Sequence, residues 1–230
     1  MPEFKSRQPD QFLRMKRCLA TLPVLLCFLS SSPANASASV HQLVVVEVAS
    51  LSATTGTLQV VEKVDGVERV VVGPVPARLG RNGVKGDRRE GDGTTPLGEM
   101  RIVGAFGLPA SARVKLPYQR VRPGDCWISD VGDRAYNRRV RRARCDAPNE
   151  DLYRIARGGA YEFALTTSYN TSPIVAGKGS AIFIHVHSYD AAGRTKPTSG
   201  CISVSRAVMK RLFTILDPAK NPVLVVRLKQ

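Results

Sequence analysis

The 230-residue sequence is poor in histidine and cysteine, with three and five residues of these types, and it contains a single tryptophan. It lacks an apolar run of membrane-spanning length, because residues 18–29 give only twelve apolar positions and a transmembrane helix needs about 20. Stable membrane insertion is therefore not expected. No internal repeat is present, and Gly91-Asp92-Gly93 is too short for a dinucleotide or phosphate loop.

The amino-terminal segment has the composition of a secretory signal peptide. Met15-Lys16-Arg17 is basic, residues 18–29 are apolar, and residues 30–38 are small, which predicts cleavage after Ala36 or Ala38. Met15 is a second candidate start. We therefore expect two parts: residues 1–38, an extension plus signal peptide, and residues 39–230, a single domain exported to the periplasm or cell envelope.

The chain is strongly basic, with a formal net charge of +15. Residues 1–38 hold five basic and two acidic residues, which leaves about +12 on residues 39–230. Outside the cytoplasm such a charge favours anionic envelope polymers over nucleic acid. Residues 138–144 contain five arginines, and they are interpreted as a solvated loop or a docking surface for a polyanion. No aromatic residue separates these arginines, as a single-strand nucleic-acid groove would require.

Residues 39–230 predict a mainly β fold with one or two helices, of the α+β class. Asp65-Gly66 between two β-branched runs indicates a hairpin. Residues 80–98 are dense in glycine, aspartate and proline, which predicts a long loop without regular structure. Strands are expected at 41–48, 58–64, 68–72, 99–103, 161–165, 181–187 and 222–226, and helices at 149–157 and from the N-cap Ser205 to Leu216.

Export determines how the cysteines are interpreted. Cys18 and Cys27 would leave with the signal peptide, and in an oxidising compartment the remaining cysteines tend to pair. Cys126 and Cys145 lie in one loop-rich stretch and are candidates for a disulfide. Cys201 would then remain as the odd thiol, which marks it as a candidate reactive residue.

Two histidines lie close to Cys201 in the sequence. Cys201 belongs to the segment Thr198-Ser199-Gly200-Cys201-Ile202-Ser203, sixteen residues after His185 in the apolar run 181–187. A histidine that takes the thiol proton makes cysteine a nucleophile. His185 and His187 share one face of a strand, so either is a candidate base.

The residues themselves leave three hypotheses open. In the first, Cys201 is a nucleophile, and the N–H groups around Gly200 and Cys201 form an oxyanion hole. In the second, Cys201 and the histidines are buried packing residues. In the third, His185, His187 and Cys201 bind zinc.

The same segments resemble the L,D-transpeptidase (YkuD-like) family, in which a strand histidine is followed, after a loop, by Ser/Thr-His-Gly-Cys-Ile/Val-Arg. Ile184-His185 and residues 198–203 match these two steps, and residues 90–98 resemble the stretch ahead of the family's Thr-Pro-x-Gly. Further likeness is carried by Asp130, Tyr136-Asn137 and Asp151-Leu152-Tyr153. The resemblance spans about residues 70–226 and implies a single YkuD-like β-sandwich catalytic domain.

By this resemblance the protein is a cysteine-dependent acyltransferase acting on peptidoglycan stem peptides. Cys201 would attack a stem tetrapeptide, His185 would relay the proton, and an amine of a second stem would resolve the thioester into a 3→3 cross-link. No metal or organic cofactor is implied. The expected substrate-binding residues are His187, Ser199, Gly200 and Ser203.

Two positions depart from the family pattern. Ser199 stands where the family has a second histidine, and Ser203 replaces an arginine that would anchor a stem-peptide carboxylate. Arg194, Lys196 and Arg206 are candidate substitutes for that anchor. Two other functions stay open: an L,D-carboxypeptidase or amidase that uses the same cysteine with water as acceptor, and a non-catalytic cationic wall-binding protein.

Overall fold

The computed structural model describes residues 42–64, 66–110 and 113–229. The predicted amino-terminal extension and signal peptide, the domain boundary at residue 38, and His41 lie outside these residues. The strands are β1 Gln42–Val48, β2 Thr55–Val64, β3 Val67–Arg78, β4 Val84–Lys85, β5 Thr95–Pro96, β6 Gly98–Gly107, β7 Tyr118–Arg120, β8 Asp125–Trp127, β9 Arg139–Arg141, β10 Glu150–Asp151, β11 Phe163–Thr167, β12 Phe183–Val186, β13 Ile202–Val204 and β14 Val223–Leu228. The helices are α1 Leu152–Arg157 and α2 Arg206–Ile215, followed by a 3-10 turn at Pro218–Lys220.

The prediction of a mainly β fold with one or two helices is confirmed, and the described residues contain two. Nine strands form one sheet in the order β11-β12-β13-β3-β2-β1-β14-β6-β7, and β11 also pairs with β6, so the sheet closes on itself. Apolar side chains from this sheet form one buried cluster, which includes Val44, Ile102 and Ile184. Helix α2 contributes Met209 and Leu212 to the same cluster. Burial of each such side chain contributes about 1.5–3 kcal/mol, so the cluster holds the strands in place.

Local signals in the sequence correctly located several elements. Strands β2 and β3 pair antiparallel up to Val64 and Val67, which confirms the predicted hairpin. Ser205 caps α2, because its side chain accepts a hydrogen bond from the Val208 N–H. Helix α1 is shorter than expected: Asp151 is its N-cap, and the residues before it pair with β8.

The prediction of a structureless loop at residues 80–98 is wrong in one respect. Strands β4 and β5 lie within this segment and pair with each other in parallel. Between them the Asp92 carboxylate accepts hydrogen bonds from the Arg89 N–H, the Thr94 N–H and the Thr94 hydroxyl. These bonds join residues 89–94 to one another and so hold that turn in one conformation. We call residues 80–98 the Asp92 loop.

A second sheet, in the order β10-β8-β9, carries the disulfide between Cys126 and Cys145. The predicted pairing of these cysteines is thereby confirmed. The basic segment 138–144 is not simply a loop, because it contains β9. Arg139 pairs with Asp125 at 2.6 Å and Arg142 with Asp133 at 2.6 Å, so part of its charge is neutralised. Within the described residues, neither helix has the length and hydropathy needed to cross a membrane.

Candidate active site

One cavity of about 730 Å³ is lined by residues from three parts of the chain: residues 198–203, which we call the cysteine segment, strand β12 and the Asp92 loop. Cys201 and His185 both line it, as do Ser199 and Gly200. The cavity wall also includes three residues that sequence reasoning did not single out as functional: Arg88, Glu150 and Tyr161.

Cys201 is the free cysteine of the described region and is only 6% exposed. Its thiol donates a hydrogen bond to the Ala181 carbonyl at 3.0 Å and accepts one from the Phe183 N–H at 3.4 Å. Its own carbonyl accepts hydrogen bonds from the Thr198 hydroxyl at 2.6 Å and the Thr95 hydroxyl at 3.3 Å. The sulfur is therefore held by residues 181 and 183, and the Cys201 backbone by Thr95 and Thr198.

Burial, and after it the negative charge of Glu150, raise the pKa of the Cys201 thiol to about 12, against the lowering effect of the Phe183 N–H. The thiol is consequently protonated at neutral pH. A thiolate is the nucleophilic form, so this site needs a base that removes the proton when a substrate is attacked.

His185 is suited to that role by its hydrogen bonding. Its Nδ1 lies 2.7 Å from the Val186 carbonyl oxygen. A carbonyl only accepts, so Nδ1 carries the proton and Nε2 keeps a free lone pair. Burial lowers the pKa of His185 to about 4, which keeps the ring neutral at physiological pH. Asp190, a possible alternative partner, is instead bound to Arg194.

In the described part of the chain, no hydrogen bond joins Cys201 to His185, because the thiol points to the Ala181 carbonyl. Such bonds are often absent in free enzymes and form in the substrate complex. Rotation of the Cys201 side chain away from Ala181 would redirect the thiol proton.

His187 and Ser203 lie apart from the cavity lining. Both are buried, and His187 Nδ1 is 2.9 Å from the Ser203 hydroxyl. Burial, together with the charge of Arg78, lowers the pKa of His187. This contact joins the end of β12 to the middle of β13. The assignment of His187 and Ser203 to substrate binding remains a prediction.

Ser199 and Gly200 occupy the cavity wall next to Cys201. The Ser199 hydroxyl accepts a hydrogen bond from Arg81 Nη1 at 3.1 Å. Gly200 has a φ of 146°, a conformation that side chains rarely adopt. Its N–H donates to the Thr198 hydroxyl at 3.1 Å, so this group of the expected oxyanion hole is occupied in the free protein.

The buried Tyr161 and the half-buried Glu150 form a polar pair in the wall of the cavity. The Tyr161 hydroxyl donates to Glu150 Oε2 at 2.9 Å, and the Tyr161 ring lies edge-on to His185 at 5.2 Å between centroids. Burial raises the pKa of Glu150 to about 7, against the lowering effect of the Tyr161 hydrogen bond. Neither residue belongs to a motif, so the sequence alone gave no sign of this pair.

Ala181, whose carbonyl holds the Cys201 thiol, has a φ of 54°. This is uncommon for a residue other than glycine, and such strain concentrates at functional sites. Asn137 holds the strained residue in place, because its Oδ1 accepts hydrogen bonds from the Ala181 N–H at 3.1 Å and from Trp127 Nε1 at 3.0 Å.

The zinc hypothesis finds no support in the described residues, which contain no group of three or more potential metal ligands. His187 is hydrogen-bonded to Ser203, and Cys201 to Ala181. The two side chains are therefore hydrogen-bonded to different residues.

The three candidates for a carboxylate anchor have different positions. Arg194 pairs with Asp190 at 2.9 Å, and Arg206 forms an ion pair with Glu162. Neither arginine lines the cavity. Lys196 does line it and is exposed at its edge.

Comparison with known proteins gives one match. A family model described as the L,D-transpeptidase catalytic domain, YkuD, matches residues 45–225. The matched region contains the Asp92 loop, β12 and the cysteine segment, so it includes every residue of the site described above. A search of curated proteins gave no match.

Proposed function

Because the chain belongs to the L,D-transpeptidase catalytic domain family, we propose that it forms 3→3 cross-links between peptidoglycan stem peptides through a thioester on Cys201. The observation that carries this proposal is the free, buried thiol in a cavity that it shares with a neutral histidine whose Nε2 is available. The cavity volume, about 730 Å³, is within the usual range for ligand sites.

The first half of the reaction makes the acyl-enzyme. Cys201 Sγ attacks the carbonyl carbon at the L-centre of the third stem residue, and its proton passes to His185 Nε2. The new S–C bond replaces the C–N bond to D-alanine, whose departing amine takes the proton from His185. Neutral thiol and neutral imidazole are the correct starting forms for this transfer, and their raised and lowered pKa values favour them.

The second half transfers the acyl group. An amine of a second stem attacks the thioester, its C–N bond forms as the C–S bond breaks, and His185 returns the released proton to the sulfur. Water in place of the amine would give the carboxypeptidase reaction, so the acceptor alone separates these two activities.

We further infer that the protein is exported to the periplasm or cell envelope. Two features support this: the signal-peptide composition of residues 1–38, and the Cys126–Cys145 disulfide, which suits an oxidising compartment. Stem peptides of mature peptidoglycan lie in the same compartment.

The proposal is tested by the intact mass of the protein after incubation with a carbapenem. Carbapenems acylate the cysteine of this family, so we expect the wild type to gain one adduct and Cys201→Ala to gain none. The disulfide-bonded cysteines are unchanged in that variant and serve as an internal control. A wild type that stays unmodified would count against the thioester mechanism.

A second experiment identifies the acceptor. Purified protein is incubated with stem tetrapeptides, and the products are separated by mass. A dimer linked between two third residues supports the transpeptidase, whereas tripeptide alone indicates hydrolysis. Cys201→Ala should give neither product.

A further inference from the structure

Arg88 is the largest fully buried side chain with incomplete hydrogen bonding in the described region. It is 2% exposed, and its Nε and Nη1 have no hydrogen-bond partner there. Nη2 makes one long bond, 3.4 Å to the Arg89 carbonyl. The nearest carboxylate oxygen, Asp92 Oδ1, is 3.6 Å from Nε, which is an ionic contact beyond hydrogen-bonding distance.

An arrangement of this kind opposes stability in the free protein. Nearly all buried polar groups are hydrogen-bonded, and a buried charge without full pairing is more costly than a neutral group. Asp92 compensates only partly, because its carboxylate already accepts three hydrogen bonds within its own loop. Two guanidinium nitrogens, Nε and Nη1, are therefore without a hydrogen-bond partner.

The guanidinium lies next to the nucleophile. Arg88 lines the Cys201 cavity, and its Cζ is 3.4 Å from where a Cβ on Gly200 would stand. A Cβ on Gly179 would come within 2.8 Å of the same carbon and of Nη1, and within 3.2 Å of Nε. Glycine at both positions leaves the space that the guanidinium fills, so the chain is built to place Arg88 beside residues 200 and 201.

The chemistry of the missing partner follows from the donors. A guanidinium presents N–H groups in a planar fork that matches a carboxylate. In the proposed reaction, the C-terminal carboxylate of the donor peptide belongs to the residue that is expelled, so it lies only one residue from the carbonyl attacked by Cys201. Arg88 and Cys201 line the same cavity, and Arg88 Cζ lies 3.4 Å from the position of a Cβ on Gly200, the neighbour of Cys201.

We propose that Arg88 is the anchor for the donor peptide's C-terminal carboxylate, with Nε and Nη1 as the donors. This inference rests on the proposed function and adds a specificity-determining residue to it. Arg88, in the Asp92 loop, then has the carboxylate-anchoring role that the sequence suggested for Arg194, Lys196 or Arg206. The site then selects a donor with a free terminal carboxylate over one whose terminus is amidated or extended.

The test measures binding without catalysis. Two stem tetrapeptides, one with a C-terminal carboxylate and one with a C-terminal amide, are titrated into Cys201→Ala protein by calorimetry. We expect the acid to bind at least about tenfold more tightly than the amide, as a charge-assisted bidentate contact would give. Adding Arg88→Gln should reduce this preference to about twofold or less.

Two control variants remove one positive charge each from nearby positions. Arg89 is the exposed neighbour of Arg88 and does not line the cavity, so Arg89→Gln should keep the tenfold preference. Lys196→Gln removes the exposed ammonium at the cavity edge and should also keep it. A preference that survives Arg88→Gln but is lost in Lys196→Gln would assign the anchor to Lys196 and overturn the proposal.

Other outcomes are equally decisive. Equal affinity for acid and amide, or no binding of the acid at millimolar concentration, would show that no carboxylate anchor exists. If Arg88→Gln does not fold, Arg88→Lys keeps the charge without the fork, and a preference reduced by at least about fivefold is then expected. D-alanine release by the wild type is measured separately. If the acid is preferred in binding but is not turned over, the proposed function fails and the anchor stands. If the acid is turned over without being preferred in binding, the proposed function stands and the anchor fails.

Discussion

The Tyr161 hydroxyl donates a 2.9 Å hydrogen bond to the Glu150 carboxylate within the cavity that holds Cys201. Burial raises the pKa of Glu150 to about 7, so its charge changes in the physiological range. Burial is the largest cause of the raised pKa of the Cys201 thiol, and the negative charge of Glu150 is the second largest. The charge of Glu150 therefore adds to the effect of burial in opposing loss of the thiol proton.

Glu150→Gln should make Cys201 more reactive, with an effect that depends on pH. At pH 5.5 the wild-type Glu150 is mostly protonated, and the two proteins should be alkylated by iodoacetamide at similar rates. At pH 8 the wild-type carboxylate is ionised, and the variant should react roughly threefold faster or more. Glu47→Gln, far from the cavity and paired with Arg227, should follow the wild type. A constant ratio at both pH values would contradict this coupling.

His185 and His187 should differ sharply as catalysts. Loss of a general base costs about 10²–10⁴-fold in rate, so His185→Ala should lose that much in carbapenem acylation. His187→Ala removes only the contact with Ser203 and should lose less than about tenfold. Equal losses in the two variants would remove the basis for choosing His185.

The pH profile offers a further check on His185. Because burial lowers its pKa to about 4, the base stays neutral well below pH 6.5. The acid limb of the acylation rate should therefore lie near pH 4 to 5. By the same shift, His185 binds more protons in the unfolded chain than in the folded one between pH 4 and 6.5, so its contribution to stability decreases as the pH falls through that window. His185→Gln should lack this decrease.

Gly200→Ala should both destabilise the protein and impair the site. A Cβ at this position would lie 3.0 Å from the Thr94 carbonyl oxygen, and the φ of 146° disfavours any side chain. We expect a loss of about 1–3 kcal/mol in urea unfolding. Gly86→Ala is a matched control, since nothing lies within 4 Å of its added Cβ. Similar losses in both variants would mean that Gly200 has no special conformational role.

Asn137→Ala should destabilise the cavity wall. It removes acceptors from the Ala181 N–H and Trp127 Nε1, and donors to the carbonyls of residues 169 and 170. Leaving such buried groups unpaired costs about 3 kcal/mol or more in total. Asn82, which is exposed, gives the comparison: Asn82→Ala should change stability by less than about 1 kcal/mol. Equal effects would show that the Asn137 network adds little.

The sequence was most informative where the signal is local. The hairpin at Asp65-Gly66 depends on turn chemistry, and the start of α2 depends on the Ser205 cap. Cys126 and Cys145 were candidates for a disulfide because both lie in one loop-rich stretch of the exported part. The proximity of Cys201 and His185 was also predictable, because adjacent strands β12 and β13 carry or flank both residues.

The rest of the site depends on contacts between distant segments. Arg88 reaches Cys201 through space left by Gly179 and Gly200, which lie more than 90 residues further along the chain. Arg194 and Arg206 were reasonable anchors by sequence distance, yet each is occupied by a carboxylate. Side-chain pairing of this kind is decided by the folded structure, and no periodicity or motif reports it.

The Cys126–Cys145 disulfide needs oxidising conditions to form, whereas the Cys201 thiol must stay reduced to react. An oxidant that closes the disulfide also threatens a catalytic sulfur, yet exchange proceeds through the thiolate. With a pKa of about 12, only about one Cys201 in 10⁵ is ionised at pH 7. Burial therefore slows the oxidation of Cys201. In the proposed mechanism the proton moves toward His185 when a substrate is attacked, so Cys201 would be most open to oxidation during turnover.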